Sequence, residues 1–450
     1  AVTLKGRNNY PCAYHYDRFP DVTAEDCRDP RGCKYINDCE YQQQKGAAML
    51  APLAVLNNAY FLNEVNGFNS AFAGRDMLIA DEMDALDNAL MNYIEFRITN
   101  RQIEHYHLTM PDEPDKKESW VKWMDGAIHQ LGVQGATLKS SLFGDFQKWT
   151  KSQIETSRMK KHMEKLADRL MFLRDEIDES WIFYTSQKGN LKEWIFKPVN
   201  VGRYARLYLW RHAEFKLGMS GTIFDPSIMC RELGIHECDY MRVDCPFPLE
   251  NRPIYFNPVC NLTAKTMNQE LPILREQIEH DLEKYPNQKV LIHTVSYMVR
   301  DYLMEALSCQ ERLMTHESGT RDAALAEFKS IDAPAVMLSP SFDRGVDLPK
   351  EDNVGAQMIC KVPFLYLGDP QVKAKINQPG GQAWYNLKAV QTMCQMTGRA
   401  VRSMDQKCDT YIYDRQFGRL KSQMRDIIPA WWLRAVQEVR EPIAQTGMLI

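Results

Sequence analysis

The chain has 450 residues, 44% of them hydrophobic and 25% charged, with a formal net charge of −4. That length exceeds what one core usually serves and predicts two or more domains, while the near-neutral balance excludes a globally basic nucleic-acid binder, so any phosphate contact must come from local basic surfaces. No apolar run is long enough to span a bilayer and no charged-then-apolar leader pattern opens the chain, which predicts a cytoplasmic or nuclear protein with no membrane contact.

Of the twelve cysteines, eight are scattered and read as reduced thiols of an intracellular protein. The other four, Cys12, Cys27, Cys33 and Cys39, lie in a Pro/Gly/Asp-rich stretch with fourteen, five and five residues between them. Four thiolates can close a metal site. Zinc knuckles use tighter pairs, so these wider gaps favour an iron-sulfur cluster, with zinc as the alternative.

Arg75 to Asp84 is an apolar run ending in Asp81, Glu82 and Asp84, the pattern of a buried parallel strand presenting carboxylates at its C-terminal edge, where ligands bind. Asp81 is suited to hold the water shell of a magnesium ion, and Glu82 to orient or deprotonate an attacking water. From about residue 92 to 200 the chain reads as helical and rich in Lys, Trp and Met. Between 145 and 175, Lys148, Lys151, Arg158, Lys160, Lys161, Lys165 and Arg169 alternate with Ile154, Met159, Met163, Leu166 and Leu170. Core packing with a solvated basic face is the favoured reading over a DNA surface. Trp120, Trp123 and Trp149 are likewise expected in the core rather than stacked on bases.

Three further strands are predicted at Lys289 to Ser296, Ala335 to Ser339 and Gln357 to Phe364. They alternate with helical segments at 268 to 284 and 297 to 307, which implies a parallel α/β layer. The second strand runs into Ser341 to Asp347, where Gly345 permits a tight turn and Asp343 and Asp347 bring polar groups to the same edge. A helix from about Trp384 to Ser403 would place Gln395, Arg399 and Arg402 on one stripe. Guanidinium groups aimed across a cleft suit a transferring phosphate. Thr410 to Asp414 reads as the following strand.

In this order the segments resemble the XPD/DinG branch of superfamily 2 DNA helicases over most of the chain. Lys5 to Cys12 resembles that family's entry into its metal cluster, Asn57 to Leu62 its helix before the acidic strand, Asp81 to Asp84 its Walker B motif, and Met219 to Thr222 the motif linking hydrolysis to DNA movement. Thr294 to Tyr297, Ser341 to Asp347 and Gln395 to Arg402 resemble motifs IV, V and VI. The resemblance implies an α/β protein of two RecA-like parallel-sheet motor domains, with an inserted iron-sulfur domain and a helical Arch domain. Residues 1–91 would be the remainder of motor domain 1 with the iron-sulfur insertion at about 8–45. Residues 92–200 would be the Arch, 201–238 the end of motor domain 1, and 239–450 motor domain 2.

The implied activity is ATP-dependent translocation along single-stranded or forked DNA, unwinding 5′ to 3′, with ATP, Mg2+ and a 4Fe-4S cluster as cofactors. Arg399 and Arg402 would be arginine fingers, and Gln395 would sense the γ-phosphate. Asp81, Asp84, Gly345 and Asp347 would belong to the nucleotide site, and Ser296, Tyr297 and Thr222 to the nucleic-acid path. Two departures stand out. No Gly-Lys-Thr or Gly-Lys-Ser occurs in the sequence, so the phosphate loop and the N-terminal part of motor domain 1 are expected upstream of Ala1 in a longer polypeptide. The alternative is a catalytically inactive, helicase-like nucleic-acid-binding or structural subunit. Arg344 also stands where the family commonly has glutamate.

Overall fold

The computed structural model describes residues 1–439 except positions 16, 29, 31, 68, 69 and 333. Two compact units divide the chain: residues 1–219, 230–237 and 368–375 form the first, and 220–229, 238–367 and 376–450 the second.

In the first unit, β1 (Val2–Leu4) pairs in parallel with β2 (Ala54–Leu56). The cysteine-bearing loops and the helix Glu40–Leu50 lie between them in sequence, over a core that includes Leu4, Tyr10, Tyr41 and Phe72. β3 (Arg75–Ala80) follows. Three more strands, β4 (Phe96–Thr99), β5 (Trp181–Lys188) and β6 (Leu191–Pro198), form an antiparallel sheet in the order β4-β6-β5. β7 (Ala213–Gly218) then returns to pair in parallel with β3.

The reading of 92 to 200 as helical is therefore incomplete. Two long helices, Lys117–Ser141 and Lys151–Glu176, are present, but a hairpin follows them. Its turn at Gly189-Asn190 places Gly189 at φ +58°, a conformation glycine adopts without steric cost. Trp120 packs against Trp194 and Phe196 of this sheet, with ring centroids at 5.1 and 5.9 Å. Trp120, Trp123 and Trp149 are all buried, so the tryptophans are core.

The basic residues of Lys151–Glu176 are less solvated than their spacing implied. Arg158 donates to both carboxylate oxygens of Asp26, at 2.7 and 2.9 Å, and to Asp21 at 2.8 Å. Lys161 pairs with Glu25, while Arg28 reaches back to Ser157 Oγ at 2.7 Å. Arg169 donates to the backbone carbonyls of Tyr93, Ile94 and Glu95. The stripe ties this helix to the cysteine-bearing loop and to the approach to β4.

The second unit is built on seven strands: β8 (Ile254–Cys260), β9 (Lys289–His293), β10 (Leu313–Thr315), β11 (Val336–Ser339), β12 (Val354–Ile359), β13 (Asp409–Asp414) and β14 (Val436–Glu438). All pairings are parallel, in the order β10-β11-β9-β12-β13-β8-β14. Such a sheet is covered on both faces, so its central strands are apolar throughout. Val290 and Ile292 enter one core with Leu274 and Ile278, whereas the intervening Leu291 enters the other with Phe328 and Phe342. The short outer strands β10 and β14, three residues each, limit the exposed edges. The predicted strand at Gln357 to Phe364 is shifted: β12 begins at Val354 and stops at Ile359.

Candidate functional site

The helix Gly381–Thr397 stops six residues before the expected end at Ser403. Gly398 supports a helix interior poorly and instead terminates it, its N–H bonded to Cys394 O at 3.2 Å, with Arg399 N–H bonded to Met396 O at 3.2 Å. Arg399 and Arg402 therefore stand on the following loop, not on a helical stripe with Gln395.

The loop nevertheless gathers all three residues. Arg399 Nη2 donates to Gln395 Oε1 at 2.5 Å, and its Nη1 to Val346 O at 3.1 Å. Arg402 pairs through Nε with Asp347 Oδ1 at 2.8 Å and reaches the same Val346 carbonyl at 3.5 Å. Arg399 is buried and Arg402 exposed, so one guanidinium is enclosed in the wall and the other is held at the surface by Asp347. Gln395 Nε2 donates to Thr222 Oγ1 at 2.9 Å, while Gln391 Nε2 donates to Thr222 O at 2.7 Å. Thr222 is itself buried; its hydroxyl meets the arginine cluster through Gln395 and does not face solvent.

Gly345 adopts φ +65°, which any Cβ would strain. Arg321, absent from the sequence reading, donates to Ser341 O and Arg344 O, and its guanidinium lies 5.1 Å from the centre of the Phe342 ring. His316 stacks on the same ring and bonds Ser339 Oγ at 2.7 Å. Burial raises the pKa of Asp343 despite the nearby Arg344, Arg399 and Arg321. Under this loop His293 is completely enclosed at the end of β9. Its pKa is pushed down to about 4, first by burial and further by Arg399, against an opposing contribution from Gln357. Among the described residues neither ring nitrogen has a hydrogen-bond partner of standard geometry.

Ser296 caps the helix Tyr297–Ala306, its Oγ accepting from Val299 N–H at 3.3 Å. Tyr297 is exposed, with the Arg300 guanidinium 4.6 Å from its ring centre. The cap explains Ser296 locally and leaves Tyr297 as the residue of this pair that offers a surface.

In the first unit, Ala80 O accepts from Met219 N–H at 2.8 Å, and Met219 O from Met83 N–H at 2.9 Å. A Cβ on Gly218 would lie 1.7 Å from Met83 Sδ, so glycine permits this approach. Asp81 and Glu82 emerge exposed beyond β3, whereas Asp84 turns inward and is buried. Glu82 has φ +50°, a left-handed conformation that is costly for a non-glycine residue and gathers at functional turns. Asp81 Oδ1 accepts the Glu82 N–H at 2.9 Å, fixing that turn.

Cys12, Cys27, Cys33 and Cys39 line a single small pocket, with Ala13, Pro30 and Ile36 among its apolar walls. The Cys12 thiol is pushed up in pKa by burial, opposed by hydrogen bonds from the backbone of His15 and Tyr14, while Cys33 and Cys39 lie near enough to raise it further. Among the described residues no group of three or more His, Cys, Asp or Glu side chains has metal-holding geometry. The four thiols border one pocket and supply the donor type that an iron-sulfur or zinc site uses, without closing on a common centre.

Residues 279–435 match the family of helicase C-terminal domains. No curated protein matches the sequence. Among solved structures, one named as an XPD helicase superposes with a TM-score of 0.57 at 16% identity, covering 90% of this chain and 76% of the other. An apo XPD structure gives 0.54 at 15% identity, with 97% and 92% covered. Xpd4 of S. tokodaii gives 0.51 at 14%, with 86% and 82% covered. The likeness at these identities is one of fold.

Proposed function

We propose that this chain, which has the fold of XPD-type superfamily 2 helicases and carries a helicase C-terminal domain at residues 279–435, serves an ATP-dependent translocase and helicase acting 5′ to 3′ on single-stranded or forked DNA. The observation that carries this reading is the joining of Gln395, Arg399, Arg402, Val346 and Asp347 in one hydrogen-bonded group at a parallel-sheet edge. A module that only binds DNA has no use for two guanidinium groups collected beside a glutamine. Phosphoryl transfer does, because charge spreads over the γ-phosphate oxygens in its transition state.

In this reading Arg399 and Arg402 stabilise that charge, and Gln395 reports the γ-phosphate to the Ser220-Gly-Thr222 turn through its bond to Thr222. Asp81 holds the magnesium shell and Glu82 orients the attacking water. Tyr297 provides a surface for the strand. The segment 92–200 corresponds to the Arch, with a small antiparallel sheet added to its helices. The four cysteines would hold a 4Fe-4S cluster, which would brace the loop and guide the strand.

Met77 pairs with Phe215 and Ile79 with Leu217 across β3 and β7, and all four side chains are exposed, Phe215 by 61%. Parallel sheets are ordinarily covered on both faces, and this pair leaves four apolar side chains exposed.

ATP turnover stimulated by single-stranded DNA tests the proposal. Glu82→Gln should abolish turnover while nucleotide binding persists. Unchanged turnover would reject the motor reading. A second reading, an inactive helicase-like subunit, predicts DNA binding indifferent to ATP.

A further inference from the structure

A cavity of ≈ 430 Å³ opens in the second unit between the N-terminal halves of β8 and β13 and the end of the helix Met267–Leu282. The loop that carries Arg399 and Arg402 enters the same end of β13, but its Ala400, Val401 and Cys408 pack into the core on the other face of the sheet from Tyr285 and Tyr411. Strand alternation builds one wall: Tyr255 and Asn257 share a face of β8, as do Asp409 and Tyr411 on β13, and Tyr411 stands directly across from Tyr255. Helical spacing builds the other, with Gln277 and Asp281 on one face and Lys284 and Tyr285 just beyond.

The polar groups divide into satisfied and unsatisfied. Asp281 is complete: Lys284 Nζ donates to Oδ1 at 2.6 Å, and Tyr413 and Gln277 donate to Oδ2 at 2.8 and 3.1 Å. Tyr285 donates to Asp409 Oδ2 at 2.6 Å while bonding Tyr411 at 2.9 Å. Asp409 Oδ1 is buried without a hydrogen-bond partner among the described residues, and Lys407 Nζ stands 3.8 Å from it. Asn257, only 4% exposed, likewise leaves its Oδ1 buried and unbonded. Buried acceptors of this kind are ordinarily satisfied.

Two orphaned acceptors, one of them a carboxylate, call for N–H donors and positive charge. Tyrosine faces add to that preference: the rings of Tyr255 and Tyr411 lie 5.3 Å apart, and Lys284 Nζ already stands 5.3 Å from the centre of the Tyr411 ring. The C-terminal end of a helix also favours a cation. We propose that this cavity binds a small organic cation bearing several amine or guanidinium N–H donors, oriented by Asn257 and Asp409 against the tyrosine wall. Nucleotide chemistry on the other face of the sheet does not require such a site.

Agmatine, which carries both an ammonium and a guanidinium group, is the probe. Titrated into the full 450-residue chain without nucleotide or DNA and followed calorimetrically, it should bind saturably. Asp409→Asn and Asn257→Leu should each weaken binding at least tenfold, and tetramethylammonium, which lacks N–H donors, should bind at least tenfold more weakly. Should one variant fail to fold, the other variant and the tetramethylammonium comparison still decide. Absence of saturable agmatine binding, unchanged binding by a folded variant, or equal binding of tetramethylammonium would overturn the proposal.

Discussion

Gln395 Nε2 donates to Thr222 Oγ1 at 2.9 Å while Gln395 Oε1 accepts from Arg399 Nη2 at 2.5 Å. One side-chain amide thus joins the buried Ser-Gly-Thr turn to the arginine loop, and each half of the amide has a distinct partner. Reversing the amide would set its NH2 group against a guanidinium that has only donors, so the bond to Arg399 fixes which end faces Thr222.

The first prediction follows from that chain of bonds. Gln395→Leu should lower DNA-stimulated ATP turnover about tenfold or more, the scale expected when a buried charged hydrogen bond loses its partner. Thr222→Val should lower it by a similar factor. Because the two residues act through one bond, the double variant should be little worse than either alone. Multiplicative losses would show that they act separately.

The second concerns the cysteine pocket. Protein purified without oxygen should be brown and contain iron and acid-labile sulfide, and Cys33→Ser should lose both. Stoichiometric zinc in colourless protein would assign the same four sulfurs to a different metal.

Arg158 supplies the third prediction. It makes a two-point contact to Asp26 and a further bond to Asp21, so its charge is spent on the loop that carries the cysteines. Arg158→Met keeps much of the packing volume but removes the donors, and should destabilise that loop by about 1–3 kcal/mol. Hydrogen exchange at residues 21–27 should speed up accordingly. If exchange there stayed unchanged while DNA affinity fell, the residue would belong to a nucleic-acid surface instead.

These cases show which parts of the molecule could be read from residue order. The large sheet was legible because Val290 to Ile292 and Val336 to Leu338 are apolar on consecutive positions, a pattern only a doubly covered strand requires. The end of the helix before Arg399 was misplaced because apolar spacing continues to Val401, while the single residue that stops the helix, Gly398, carries no side chain to break that spacing. The antiparallel sheet at 181–198 was overlooked although Gly189-Asn190 marks its turn; the long helical segments before it dominated the composition. Arg158 shows another limit. Its partners Asp21 and Asp26 lie more than 130 positions away, and spacing within one helix is blind to them. Arg321 shares that limit, since its bonds go to backbone carbonyls of Ser341 and Arg344, which carry no side-chain signal.

The fourth prediction comes from His293. Its pKa in the folded chain is about 4, against about 6.5 when unfolded. Between those values the unfolded state binds a proton that the folded state refuses, so stability is fully present above pH 6.5 and is lost as the pH falls toward 4. The full shift corresponds to about 3 kcal/mol. Burial also lowers the pKa of His15 and His212, both in the first unit, so the comparison must be made within the second. Replacing His293 with Phe removes the titrating ring while keeping an aromatic fill. Hydrogen exchange of β9 amides in this variant should vary less between pH 7.5 and 5, after correction for intrinsic exchange, than in the parent protein. An equal pH dependence in both would mean that protonation of His293 is not what weakens the sheet beneath the arginine loop.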